Sequence, residues 1–287
     1  MGERGARPGG ARRGRRPGGH DAARHGGVSP ALRVGSYNLW VAHWPATPTY
    51  DRVPLVRAAL DAVDVLGTQE GTRAHLDALT DGTGFAAVGR SRDGGSTGEH
   101  SAVLCRTARV EVLEHGDFWC SPTPDVPSTG WDATTYRRIC TWVRLRDRAD
   151  GARVVVLNAH LDHEGARARV ESAHLLLTRA AAVAAGDPVV VTGDLNAEPG
   201  SEPLRVLHAG GLRDARALTA TPPTGPVTTF TDLSDLGRPG ERRRIDHVLV
   251  GPDVGVEGYA VLDARPGGRY PSDHDPVVTA LRLPLPG

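Results

Sequence analysis

Apolar positions follow two rhythms along this chain. Runs rich in β-branched residues predict strands: "LRVGSYNLW", ending at Asn38; "VDVLGTQE", ending at Glu70; "FAAVGR"; "SAVLCRTARVEVLEHG"; "VVVTGD", from Val189. "ICTWVRLRDR" and "RVVVLNAHLDH" predict a hairpin around Ala149-Asp150-Gly151, and "RRRIDHVLVG", "VEGYAVLDA" and "DPVVTALRL" predict three further strands. Helical spacing marks "YDRVPLVRAALDA", "TRAHLDALTDG" and "SEPLRVLHAGG". The strongest helix prediction covers 166–185, rich in Ala, Leu and Arg and stopped by Gly186 and Pro188. "SRDGGSTGE" reads as a flexible separator, and the proline-rich 117–137 as a long loop, the kind of segment that carries specificity. Strands outnumber helices and the two are mixed. That predicts an α/β sandwich with sheets inside and helices outside.

Composition changes this picture only at the N-terminus. At 287 residues the chain can bury a full core, and its formal net charge is zero. Every basic residue is Arg. Seven of them, Arg4, Arg7, Arg12, Arg13, Arg15, Arg16 and Arg24, crowd into the first thirty residues against Glu3 and Asp21, which leaves the remainder mildly acidic. Residues 1–30 have almost no apolar content and are expected to be a disordered arm, with the ordered domain running from 31 to 287. The arm reads either as a phosphate-binding segment or as an unselected extension. No apolar stretch follows the arginines and none is long enough for a bilayer. Cys105, Cys120 and Cys140 have neither disulfide-framework nor metal-knuckle spacing. A cytoplasmic monomer without a stable protein partner or membrane span is the expectation.

The candidate chemistry lies at strand ends. Asn38, Glu70, His160 with Asp162, Asp194 with Asn196, Asp246 with His247, and Asp273 with His274 each sit at or near one end of an apolar run. Ionised groups are costly inside a strand. Their regular placement predicts one crevice at the edge of the sheets. The residue types suit metal-assisted attack on a phosphate ester: Mg²⁺ takes hard oxygen ligands and keeps several waters, so Glu70, with Asn38 beside it and Asp273 as a further candidate, would suffice. Asp194 would orient or deprotonate water, and Asn196 would donate to a phosphate oxygen. His160 and His274 would supply charge or hydrogen bonds, with Asp246 orienting His274. Plainer roles exist for each. Asp194 and Asn196 can cap a turn, with Gly193 changing the chain direction; "SDHDP" can be a bend; "HLDH" can be a zinc cluster.

Taken in order, "SYNLW", "LGTQE", "NAHLDH", "TGDLNAEPGS", "RRIDHVLV" and "YPSDHDPVV" resemble the endonuclease/exonuclease/phosphatase superfamily of DNase I-like proteins over residues 32–284. The segment 98–145 resembles a bacterial branch with some likeness to deadenylase-type hydrolases. The resemblance implies a four-layer α/β sandwich of two packed, mostly antiparallel sheets flanked by helices. It also implies phosphoester hydrolysis with Mg²⁺, for which Mn²⁺ can substitute. It assigns Glu70 and Asn38 to the metal, His160 and Asn196 to the phosphate, and Asp194 to the water. Asp246 would support His274, which pairs with Asp273. Arg138 would touch phosphate or form a surface salt bridge, and Glu99 would play a supporting part. Asp162, Trp131 and Tyr136 are further candidates for substrate contact. Phe118, Trp119, Trp131 and Tyr136 would stack on substrate or simply fold the loop down. Asp275 departs from several relatives, which are apolar there. The implied substrate is a single-stranded nucleic acid or a small phosphorylated molecule. The reading from another class is a non-catalytic nucleic-acid-binding module that uses the Arg-rich arm.

Overall fold

The structure is a computed structural model that describes residues 1–2, 30–40, 51–95, 97–233 and 240–286. The expected disordered arm lies outside the described residues, apart from its first two positions and Pro30.

The first half of the chain alternates strands with short helices. β1 (Leu32–Asn38) leads to α1 (Val53–Arg57), which tightens into a 3₁₀ turn over Ala58–Ala62. β2 (Val65–Gln69) and α2 (Arg73–Thr80) follow; Thr72 and His75 form a capping box at the start of α2. β3 (Phe85–Val88) and β4 (Val103–Arg106) complete this part. The run predicted as continuous from Ser101 to Gly116 breaks at Thr107–Arg109. There the chain leaves one sheet for the other and begins β5 (Val110–Trp119), so "DFW" is strand rather than loop.

β6 (Ile139–Asp147) and β7 (Arg153–His160) form the expected hairpin. α3 (Ala166–Ala184) ends on left-handed Ala185 and Gly186, as its stop signal predicts. Its first turn is capped from the 117–137 segment: the Asp132 carboxylate accepts from the N–H groups of Arg167 (3.0 Å) and Ala168 (2.6 Å). β8 (Val189–Asp194), α4 (Glu202–Ala209), β9 (Arg213–Asp214), α5 (Ala215–Leu218) and β10 (Phe230–Thr231) come next. "RRRIDHVLVG" forms two strands instead of one, β11 (Arg242–Arg243) and β12 (Asp246–Val250). The cause is local: the Thr229 hydroxyl takes the N–H groups of both Ile245 and Asp246 at 3.1 Å and interrupts the ladder. β13 (Gly255–Val261) and β14 (Val277–Arg282) close the chain.

Two six-stranded sheets result, ordered β13-β14-β1-β2-β4-β3 and β5-β6-β7-β8-β12-β9. Each has one parallel pair, β1 with β2 and β7 with β8; the other pairings are antiparallel. Period-two alternation builds the layers. Val154 and Val156 enter the core between the sheets, while Val155 and Leu157 face the layer of α3 and α4. Val65 likewise faces the inter-sheet core and Leu66 the layer of α1 and α2. The expected helix–sheet–sheet–helix sandwich is therefore present.

Toward the end of the inter-sheet core that carries the candidate residues, apolar packing gives way to a buried polar bridge. Gln69 Nε2 donates to Asn158 Oδ1 (2.7 Å) and Ser36 Oγ (3.2 Å). Asn158 Nδ2 donates to the carbonyls of Thr68 (2.9 Å) and Ala102 (3.0 Å). Thr192 Oγ1 donates to Asn158 Oδ1 at 3.2 Å. Gly67 makes room for this bridge, since a Cβ there would lie 2.3 Å from Thr192 Oγ1.

Candidate functional site

Strand register brings the candidate residues together. β1 and β2 run parallel with Asn38 opposite Gln69, so both chains exit at the same edge. β7 and β8 also run parallel, with His160 opposite Asp194. β12 runs antiparallel to β8, so its first residue, Asp246, sits opposite Asp194. β14 is antiparallel to β1, with Val277 opposite Ser36, and the residues that precede it, Asp273 and His274, fall at the same end. Ser272 pins that approach: its hydroxyl donates to Asn38 O (2.8 Å) and accepts from His274 N–H (3.1 Å).

Asp194 Oδ2 is the common point. It lies 3.0 Å from Asn38 Nδ2, 3.5 Å from His160 Nε2 and 3.8 Å from His274 Nε2. His274 Nδ1 bonds Asp246 Oδ2 at 2.7 Å, and His274 Nε2 is 3.9 Å from Asp273 Oδ1. Phe230 packs on the His274 ring with centroids 5.0 Å apart. Glu70, in the left-handed region at φ 64°, accepts from Asn38 Nδ2 at 3.0 Å. Glu70, His160, Asp194, Asn196, Asp273 and His274 line one cleft of about 350 Å³ together with Glu99, Tyr136 and Arg138.

Burial sets the protonation pattern. It opposes charge on His274, but the Asp246 and Asp273 carboxylates and the hydrogen bond to Asp246 outweigh it and hold the imidazolium well above its ordinary range. Burial and the nearby Arg138 guanidinium push His160 well below its ordinary value, so this ring is neutral. Asp194 is raised by burial and by the charge of Asp246. Burial lifts Asp273 to about 7; His274 opposes the rise and Glu70 adds to it.

Several placements differ from expectation. Asn38 is turned with its nitrogen toward the acids: Oδ1 accepts from Trp40 N–H (3.0 Å) and the amide nitrogen faces two carboxylates, which require a donor. It bridges Glu70 and Asp194. Gly193 makes no bend. It lies inside β8, where a Cβ would meet Ala159 O at 2.1 Å, so close strand packing explains it. Asp194 and Asn196 do make the turn contact that the sequence allows: Asn196 is left-handed (φ 45°) and its N–H bonds Asp194 Oδ1 at 3.0 Å. Its Nδ2 donates to Leu161 O at 2.9 Å and keeps a second N–H for the cleft.

Asp162 is turned from the cleft. Its carboxylate receives the N–H groups of Glu164 (2.9 Å) and Gly165 (2.6 Å) and the Arg138 Nε (3.3 Å). Arg138 is buried rather than on the surface, and it reaches the cleft while held by Asp162 and by His163 Nδ1 at 2.9 Å. "HLDH" forms no metal cluster among the described residues, because Asp162 and His163 turn to Arg138 while His160 turns to Asp194. Trp131 does not line the cleft, whereas Tyr136 does. Phe118 and Trp119 are buried and fold the segment down. Asp275 is buried with Arg265 and Arg242 as its ionic partners.

Arg92, His163, Phe230, Arg243 and Ile245 also line the cleft and were not predicted. Arg243 and Ile245 were legible in principle: Arg244 between them pairs with Asp214, so a period-two reading of "RRRID" separates them. Arg92 gave no such signal, because it belongs to the separator between β3 and β4.

Whether these groups can hold a cation is a matter of donor chemistry. Glu70 and Asp273 are oxygen donors that line the same cleft, so their set fits a hard divalent ion. Asp194, Asp246 and His274 also have one ligand atom each within 4.8 Å of one another. There His274 Nδ1 and Asp246 Oδ2 are already bonded, and an imidazolium offers no lone pair.

The fold and the edge-of-sheet site define the DNase I-like class of α/β sandwiches. The chain belongs to the Endonuclease/Exonuclease/phosphatase family, whose model matches residues 35–274. It is 33% identical to a mannosyl-6-phosphatase of Bacteroides thetaiotaomicron, with 88% of this chain and 100% of that one covered at a TM-score of 0.78. It is 32% identical to an endonuclease/exonuclease/phosphatase family protein of the same organism, with 90% and 100% covered at a TM-score of 0.80. The human Nocturnin catalytic domain, with a bound sulfate anion, shares the fold at 18% identity, 90% and 96% coverage and a TM-score of 0.65. No curated protein sequence matches significantly. No helix among the described residues is long and apolar enough to cross a membrane.

Proposed function

We propose that the protein is a metal-dependent phosphoesterase that hydrolyses the phosphomonoester of a small polyhydroxylated molecule. The observation that carries this reading is the meeting of three chain-distant groups, from Asn38, His160 and His274, at Asp194 Oδ2. Glu70 and Asp273 would hold Mg²⁺, with Mn²⁺ able to substitute; when bound, the ion neutralises charge on the phosphoryl oxygens and polarises them. Asp194 orients a water and takes its proton as the oxygen attacks phosphorus in line with the leaving alcohol, which departs with a proton from solvent. A raised carboxyl is the better base for this step. The His274 imidazolium, fixed by Asp246, stabilises charge on the phosphoryl oxygens. Neutral His160 and the free N–H of Asn196 donate to them.

The monoester reading is supported by the relative described as a mannosyl-6-phosphatase, which this chain matches over that protein's full length. A nucleic-acid-binding module would gain nothing from Glu70, Asp194 and Asp273, whose charges repel phosphate. Phosphate release from hexose phosphates, nucleoside monophosphates and short single-stranded oligonucleotides, each with Mg²⁺, tests the reading. Release from the sugar esters supports it; cleavage of the oligonucleotide alone, or of nothing, contradicts it.

A further inference from the structure

Beside Glu70 and His160 the cleft continues into a recess walled by Arg92, Glu99 and Arg138. Arg92 and Glu99 form a two-point pair: Nη1 to Oε2 at 2.7 Å and Nη2 to Oε1 at 2.9 Å. The backbone holds them in place. Arg92 N–H donates to Glu99 O at 2.8 Å, Ser91 and His100 are bridged behind them, and Trp119 Nε1 donates to Arg92 O at 2.6 Å. The Tyr136 ring stacks beside the pair, with its centroid 4.7 Å from Arg92 Cζ.

The pair is pre-organised but not saturated. Arg92 has five N–H donors and the Glu99 carboxylate has several lone pairs, so both retain bonding capacity toward the recess. Each guanidinium on the recess wall already has a carboxylate partner, Arg92 with Glu99, Arg137 with Asp93 and Arg138 with Asp162, and Glu70 adds a further acid, so among the described residues no unpaired cation stands ready there for a second phosphate. An apolar group would leave donors and acceptors unpaired, which is costly. A hydroxyl donates and accepts at once, and adjacent hydroxyls can bond the carboxylate and the guanidinium together.

Building on the phosphoesterase reading above, we propose that Arg92 and Glu99 form a hydroxyl-reading subsite for the alcohol half of the substrate, selecting a polyol phosphate over an alkyl phosphate. A site built to bond a substrate hydroxyl rejects the analogue that lacks it by up to about 10⁴–10⁵-fold.

The test compares kcat/KM for mannose 6-phosphate and n-hexyl phosphate, read as released inorganic phosphate with Mg²⁺, in the full chain and in Arg92→Met and Glu99→Gln. The expected wild-type preference for the sugar ester is on the order of 10³-fold or more, and each variant lowers that ratio about 30-fold or more. A wild-type ratio near one, or variants that lose both esters in equal proportion, would overturn the subsite alone. A wild-type ratio near one overturns the subsite even if a variant fails to fold, and the other variant then carries the assignment where the ratio is high. No turnover of either ester by the wild type would overturn the phosphoesterase reading and the subsite with it.

Discussion

His274 Nδ1 meets Asp246 Oδ2 at 2.7 Å, and both side chains are buried. The bond joins the first residue of β12 to the segment that leads into β14 of the other sheet, and fixes which imidazole nitrogen points at Asp194. Replacing Asp246 by Asn removes the charge that supports the imidazolium while leaving the side chain nearly the same size. The expected loss in kcat/KM is about 10²–10⁴-fold, by analogy with the acid that orients a triad histidine. Phosphate-release kinetics, with circular dichroism to show an intact fold, check it.

Asp162→Ala tests whether Asp162 positions Arg138 or contacts substrate. The change strips a buried guanidinium of its carboxylate and frees two backbone N–H groups ahead of α3. Breaking such a pair costs about 3–5 kcal/mol, visible as a lower urea midpoint. Lost activity without lost stability would instead place Asp162 at the substrate.

Gly67→Ala places a methyl group 2.3 Å from Thr192 Oγ1 and 2.4 Å from Asn158 Oδ1. The polar bridge between the sheets must move or break. A destabilisation of about 1–3 kcal/mol in equilibrium urea unfolding is expected.

Burial, aided by the charge of Arg244, holds His247 down at about 4, and its Nε2 bonds Ala197 O at 2.8 Å. The unfolded chain binds this proton more readily, from about pH 6.5 downward. His247 therefore contributes stability that is present above that pH and is lost as pH falls toward 4, up to about 3 kcal/mol. His247→Gln, which keeps a donor, should flatten the fall in urea midpoint between pH 7.5 and 4.5. An unchanged slope would contradict the assignment.

Strand ends were legible because acid, amide and imidazole groups next to apolar β-branched runs have few places to go. Asn38, Glu70, His160, Asp194 and Asp246 were found on that ground, and the register of β7, β8 and β12 brings three of them to one point. What remained hidden depends on side-chain direction. Nothing local shows that the Asn38 amide turns its nitrogen inward or that Asp162 spends its carboxylate on a turn. Arg92 and Glu99 meet through a loop bridged at Ser91 and His100, a contact without periodicity. The break in "RRRIDHVLVG" is made by Thr229, sixteen residues before Ile245, and no pattern within the strand itself announces it.

The most direct measurement is phosphate release from mannose 6-phosphate by the full chain after dialysis against EDTA, before and after Mg²⁺ is added, with Asp194→Asn run alongside. The predicted result is no release without the ion, recovery with it, and a loss of about 10³-fold or more in the variant. Release that is indifferent to EDTA, or a variant as fast as the wild type, would contradict the account.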